Sequence, residues 1–167
     1  MGETKNLDRS DGIKKMRDIA ENKTALLCTF TGNTSIETRP MHTQQVDEDG
    51  CFWFMGSKEN SSTDQIRKES KVQLMYAIND KAEFLSVEGK ASLTTDKQKI
   101  EELWSSFAKT WFPGGKDDPN IILIKVNPSD AFYWDTQHGK WVSMLKIMVG
   151  AVTGKEMDDG VEGTIDV

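Results

Sequence analysis

Arg39, together with the small, hydroxyl-rich stretch Gly56-Ser57-Lys58 and the Asn60-Ser61-Ser62 that follows it, offers residue types and spacing suited to chemistry. A planar guanidinium matches phosphate oxygens through two parallel N–H bonds. Backbone N–H groups, hydroxyls and the start of a helix can close around the same anion. The chemistry on offer is capture of a phosphate-bearing ligand. The same residues also read as an exposed arginine beside ordinary helix-capping serines, and the local pattern does not separate the two.

Other candidates are weaker. His42 and His138 are far apart and unaccompanied by other ligand types, so they read as surface or strand-face histidines and no metal site is expected. Glu101-Glu102 and Asp117-Asp118 sit among other charges and read as solvated faces. The chain has no G-x-S-x-G, H-E-x-x-H, G-x-x-x-x-G-K-[ST] or G-x-G-x-x-G, which removes the usual support for hydrolase, zinc-protease and nucleotide-loop chemistry. Trp53, Trp104, Trp111, Trp134 and Trp141 divide between core and a planar lining for an aromatic ligand. No acid, base or nucleophile stands out, so no catalytic residue is assigned.

The elements that must position Arg39 and the loop are two strands around Asp47-Glu48-Asp49-Gly50, a hairpin connection whose Gly suits a positive φ. Before them, Asp11 to Asn22 reads as a helix with Ile13, Met16, Ile19 and Ala20 in one narrow stripe. Thr24 to Thr31 reads as the first strand, ending at the turn signal Gly32-Asn33. After the Ser-rich loop come a short helix over Thr63 to Glu69 and strands over Val72 to Ile78 and Phe84 to Leu93, the latter interrupted at Gly89 as at a bulge or bend. Thr95 and Gln98 form a capping box for one helix running to about Trp111, with Ile100, Leu103, Trp104 and Phe107 on its apolar face. Phe112-Pro113-Gly114-Gly115 stops it. Ile121 to Val126 is the next strand, Asn127-Pro128 a turn, and Ala131 to Trp134 a seventh strand. Trp141 to Val152 fits strand or helix. Antiparallel strands with few helices exclude a doubly wound sheet and predict a mainly β fold, a small antiparallel barrel with helices on its outside.

Length and charge bound the reading further. The 167 residues fit one domain, read as residues 1–154, followed by an acidic, flexible tail over residues 155–167. A net charge of −6 argues against wrapping nucleic acid. Cys28 and Cys51 lie in separate apolar runs without Cys or His companions and read as buried free thiols, an interstrand disulfide being the alternative. The polar start MGETKNLDRSDG has no apolar signal core, and no apolar run is long enough to span a bilayer, which makes the cytoplasm the default.

The segments RPMHTQQVDEDGCFWFMGS, VQLMYA, FLSVEGKA and IEELWSSFAKTWFPGGKDDPNIILIKVNPSDAFYWD together resemble the general stress protein 26 family, a branch of the pyridoxamine 5'-phosphate oxidase-like proteins, over about Ile13 to Gly154. The resemblance implies a split antiparallel β-barrel that binds FMN, as a homodimer with two flavin sites at the interface. It places Arg39 at the FMN phosphate, Pro40 and Met41 along the flavin, and Met55 and Gly56 against the cofactor. Asn60-Ser61-Ser62 falls where the family has Ser-x-Lys, so one phosphate cation is absent; Ser57, Lys58, Ser61 and Ser62 remain as candidate phosphate contacts. Trp111, at the end of its helix, is expected beside the flavin. Two functions follow as expectations: an FMN-dependent oxidoreductase acting on an unknown small molecule, or a non-catalytic protein that binds or senses flavin in a stress response.

Overall fold

The computed structural model describes residues 3–32, 35–136 and 160–167. In chain order the elements are β1 (Glu3–Thr4), α1 (Arg9–Ala20), β2 (Thr24–Thr31), β3 (Ser35–Val46), β4 (Phe52–Ser57), α2 (Ser61–Lys68), β5 (Lys71–Ile78), β6 (Glu83–Thr94), α3 (Lys97–Leu103), α4 (Ser106–Trp111), a 3-10 turn (Gly115–Asp117), β7 (Ile121–Thr136) and β8 (Gly160–Ile165). Both cysteines are buried free thiols. Among the described residues, no helix is long and apolar enough to cross a membrane.

Six antiparallel strands close a ring in the order β7-β4-β3-β2-β5-β6, with β6 returning to β7. β7 makes the closure because it is long enough to serve several partners. Its first part pairs β4 through Ile121–Val126, its last part pairs β8 through Ala131–Thr136, and β6 runs along its other edge. β1 then adds to β8 in parallel. The fold is a split β-barrel with helices outside it.

Alternation on each strand selects the core. Leu85, Val87 and Ala91 of β6 point inward with Leu27, Phe52, Phe54, Leu74 and Ile124, and α1 lays Met16, Ile19 and Ala20 on the same cluster. Trp53 and Leu123, on the opposite faces of β4 and β7, are covered by Ile100, Leu103 and Phe112. Thus β4 is buried on both faces, which is why Phe52 to Phe54 is an unbroken apolar run. Each fully buried side chain of this size contributes roughly 1.5–3 kcal/mol. A buried polar pair at the cluster satisfies itself: Thr43 Oγ1 and Tyr76 Oη lie 2.7 Å apart. Burial pushes the Tyr76 phenol well above its ordinary pKa, so it stays protonated.

Three sequence expectations require correction. Asn127-Pro128 does not turn the chain: β7 is continuous, because Pro128 faces Gly89 where the β6–β7 register shifts, a bulge that dispenses with the missing N–H. A Cβ at Gly89 would lie 2.5 Å from the Asn127 carbonyl oxygen, which accounts for glycine there. Secondly, the helix expected from Thr95 to Trp111 is two. Asp96, not Thr95, caps α3 by accepting from the N–H groups of Gln98 and Lys99, and Trp104 leaves the helix before Ser105 caps α4 through the Ala108 N–H. Thirdly, the fraying tail does not hold at Gly160–Ile165, which is β8, hydrogen-bonded on both edges with Ile165 in the core. Gly12 of α1 records that contact: a Cβ there would lie 2.2 Å from Ile165 Cγ2. The ambiguous stretch Trp141 to Val152, along with His138, lies outside the described residues.

Candidate functional site

The site is the gap where β3 and β4 part. The two strands pair from Val46↔Phe52 up to Thr43↔Phe54 and no further, so Arg39–His42 and Met55–Ser57 face each other across an opening. Pro40, with no N–H to leave unpaired, fits the open edge of β3. A bulge between Thr43 and Gln45 turns Gln44 toward the same opening, where its Oε1 accepts from Ser105 Oγ at 3.3 Å. The result is a cavity of about 630 Å³, within the range usual for small-molecule sites.

Its two ends differ in chemistry. At one end stand Arg39, Ser57 and Asn60. The Arg39 side chain is 19% exposed, and its guanidinium donates to Thr29 Oγ1 at 2.9 Å, Glu37 Oε2 at 2.9 Å and Gln65 Oε1 at 3.0 Å. Gln65 belongs to α2, so the guanidinium is pinned between β2, β3 and that helix. Asn60 occupies the N-cap of α2 without a side-chain cap bond, which leaves the first N–H groups of the helix without that acceptor. Among the described lining residues Arg39 carries the one full charge.

The other end is aromatic. His42 and Phe107 stack with ring centroids 4.2 Å apart, and Phe107 meets Trp111 at 6.4 Å. The break between α3 and α4 turns these rings outward: Phe107 is 44% and Trp111 69% exposed, while Leu103 of α3 stays in the core. Met41 and Met55 form the apolar sides, with Gly56 between them, where a Cβ would make only ordinary contacts with Ile124 Cδ1 at 3.7 Å and Met41 Cε at 3.8 Å. Burial lowers the pKa of His42, so the ring is neutral at neutral pH.

Of the residues singled out from sequence, Arg39, Pro40, Met41, Met55, Gly56, Ser57 and Trp111 come together around this cavity. Three do not. Lys58 turns away and donates through Nζ to the Pro119 carbonyl oxygen. Ser62 is buried at the base of α2 and Ser61 is exposed on its first turn. Asn60, at the head of the stretch read as an anion cradle, lines the cavity too, and His42, Gln44 and Phe107 line it without having been singled out for it. Gln44 is the extra residue of the β3 bulge, and Phe107 belongs to the apolar face of a helix that the structure breaks. No cluster of three or more His, Cys, Asp or Glu able to hold a metal occurs among the described residues.

A six-stranded ring with a gap that joins a pinned arginine to an aromatic wall defines a protein of the split-barrel class. The family model described as "Pyridoxamine 5'-phosphate oxidase like" matches residues 11–158, and the chain belongs to that family. Its relatives include general stress protein 26 of Bacillus subtilis, 29% identical over 77 residues, which are 44% of this chain and 54% of that protein. The chain thus matches about half the length of that relative. Among solved structures it is similar to one described as a general stress protein 26 from Jannaschia sp. CCS1, at 22% identity and TM-score 0.74, covering 94% of this chain and 96% of the other. It is also similar to the general stress FMN/FAD binding protein of Xanthomonas citri, at 26% identity and TM-score 0.63, covering 74% and 87%.

Proposed function

We propose that the chain binds FMN in the gap between β3 and β4 and, as a homodimer, uses it for electron transfer to or from a small molecule. The observation that carries this reading is the pairing, in one cavity, of the Arg39 guanidinium with the His42, Phe107 and Trp111 rings. The donor set fits the cofactor: a bidentate cation and a helix N-terminus suit a phosphate, and flat apolar walls suit a fused ring system. The name of the Xanthomonas citri relative as an FMN/FAD binding protein supports the same ligand. Bound flavin would supply the redox chemistry, and the chain supplies placement and electrostatics. Arg39 holds the anionic end, the methionines and aromatic rings orient the ring system, and α4 screens it from water.

The dimer rests on a surface observation. Leu26, Met75, Phe84 and Trp134 are all exposed on neighbouring strands, and the apolar groove they form shares Thr24 with the flavin cavity. A second copy on that face would cover it and wall the cavity from the other side.

One observation favours a second reading, a flavin-binding or flavin-sensing protein without turnover. Of the described side chains lining the cavity, only His42 titrates near neutrality, and burial holds it uncharged. Visible flavin bands that stay with the protein through gel filtration after FMN is added support the cofactor; a protein fraction without them refutes it. Reoxidation of the dithionite-reduced complex by an added small acceptor, faster than that of free FMN, supports electron transfer, whereas equal rates favour the binding reading.

A further inference from the structure

Arg39 already has an anion. Glu37 sits two residues before it on β3, and its Oε2 accepts from Arg39 Nη2 at 2.9 Å. Nη2 also donates to Gln65 Oε1 at 3.0 Å, so this nitrogen has two hydrogens and two acceptors. The position of Nη2 makes that decisive. A guanidinium presents two edges for bidentate binding, Nε with Nη2 and Nη1 with Nη2, and both include Nη2. A phosphate that takes either edge must displace one of the two acceptors.

The two acceptors are not equally fixed. Gln65 Oε1 also accepts from the fully buried Thr29 Oγ1 at 2.5 Å, and Thr29 in turn receives Arg39 Nη1. Removing Gln65 would break a three-residue network. Glu37 has a single ion-pair contact, its side chain is 51% exposed, and it does not line the cavity. Swinging it into water costs little, because an exposed pair is weak. Among the described lining residues no second cation stands beside Arg39: Asn60 and Ser62 are neutral, and Lys58 is turned to Pro119.

We propose that Glu37 is an internal competitor for the phosphate seat, holding Arg39 in the ligand-free protein and leaving when a phosphate-bearing ligand arrives. The inference rests on the reading of Arg39 as the phosphate contact. It makes Glu37 a specificity residue: it lowers the preference for phosphorylated over unphosphorylated flavin, and so keeps FMN exchangeable rather than permanently bound.

The test is a set of titrations with FMN and with riboflavin, which lacks the phosphate, on the full chain and on Glu37→Gln, Arg39→Ala and the double variant. Each is followed by flavin fluorescence, with circular dichroism as a check on folding. Glu37→Gln should raise the preference for FMN over riboflavin by about two- to fivefold, the size expected for releasing a partly exposed ion pair. In the Arg39→Ala background the same change should do nothing, because there is no fork left to occupy. A Glu37→Gln preference equal to that of the parent overturns the proposal, as does a gain that persists without Arg39, which would mark simple repulsion. Those results leave the phosphate reading of Arg39 standing. An Arg39→Ala protein that keeps the parent's preference for FMN refutes that reading instead.

Discussion

Replacing Trp111 by alanine should weaken FMN and riboflavin equally, and this separates the ring end of the cavity from its phosphate end. The indole is 69% exposed in the ligand-free chain, at the end of α4 with Phe107 on its inner side. Taking about 250 Å² for the whole side chain, roughly 170 Å² is open, and a stacked ligand covers about half of that. At about 25 cal/mol per Å² the contact contributes roughly 2 kcal/mol, or about thirtyfold in affinity. Trp111→Phe keeps a ring and should lose only about threefold. Flavin fluorescence titrations with both ligands read the effect directly. Because the indole is exposed, the substitution should leave the unfolding midpoint nearly unchanged, so a loss of affinity reports the site and not the fold. Unchanged affinity for both flavins in Trp111→Ala would refute the aromatic wall as a ligand surface.

Further outcomes follow from the same geometry. Tyr76→Phe strands the buried Thr43 hydroxyl and should cost about 1–3 kcal/mol in urea unfolding, with Thr43→Val recovering part of it; no loss in the single variant would contradict the pairing. The folded-state pKa of His42 is depressed by burial, so its contribution to stability is complete above the ordinary value of 6.5 and is lost as pH falls below that toward the folded pKa. The melting temperature of the parent should therefore fall more steeply than that of His42→Phe between about pH 6.5 and 5, and parallel curves would contradict a half-buried ring with a depressed pKa. Light scattering with FMN present should give twice the monomer mass of 18.8 kDa, and Trp134→Glu should return the monomer; a monomeric parent would refute the dimer.

Much of the barrel is legible in the sequence because its strands alternate or run apolar between turn residues. The hairpin at Asp47–Gly50 closes as expected, with Gly50 at φ 81°, and it brings Arg39 and Gly56 to adjacent strands. What escapes is what depends on distant partners. β8 carries two glycines and little apolar surface, and its signals, Gly12 and Gly163, mean close approach only once their neighbours are known. Pro128 reads as a turn until Gly89 is found opposite it. Lys58 stands beside the phosphate candidates in sequence, yet the Pro119 carbonyl of a remote loop takes its ammonium. Likewise, Ser105 caps a second helix only because Trp104 leaves the first, and that break is what turns Phe107 toward the cavity.

The central claim is that the β3–β4 gap holds FMN with Arg39 on its phosphate, and parallel titrations of the parent and Arg39→Ala with FMN and riboflavin test it most directly. A lost charge-assisted contact costs roughly 1.5–3 kcal/mol, so Arg39→Ala should bind FMN about ten- to a hundredfold more weakly and riboflavin almost as the parent does. Arg39→Ala protein that binds FMN as tightly as the parent would contradict the account.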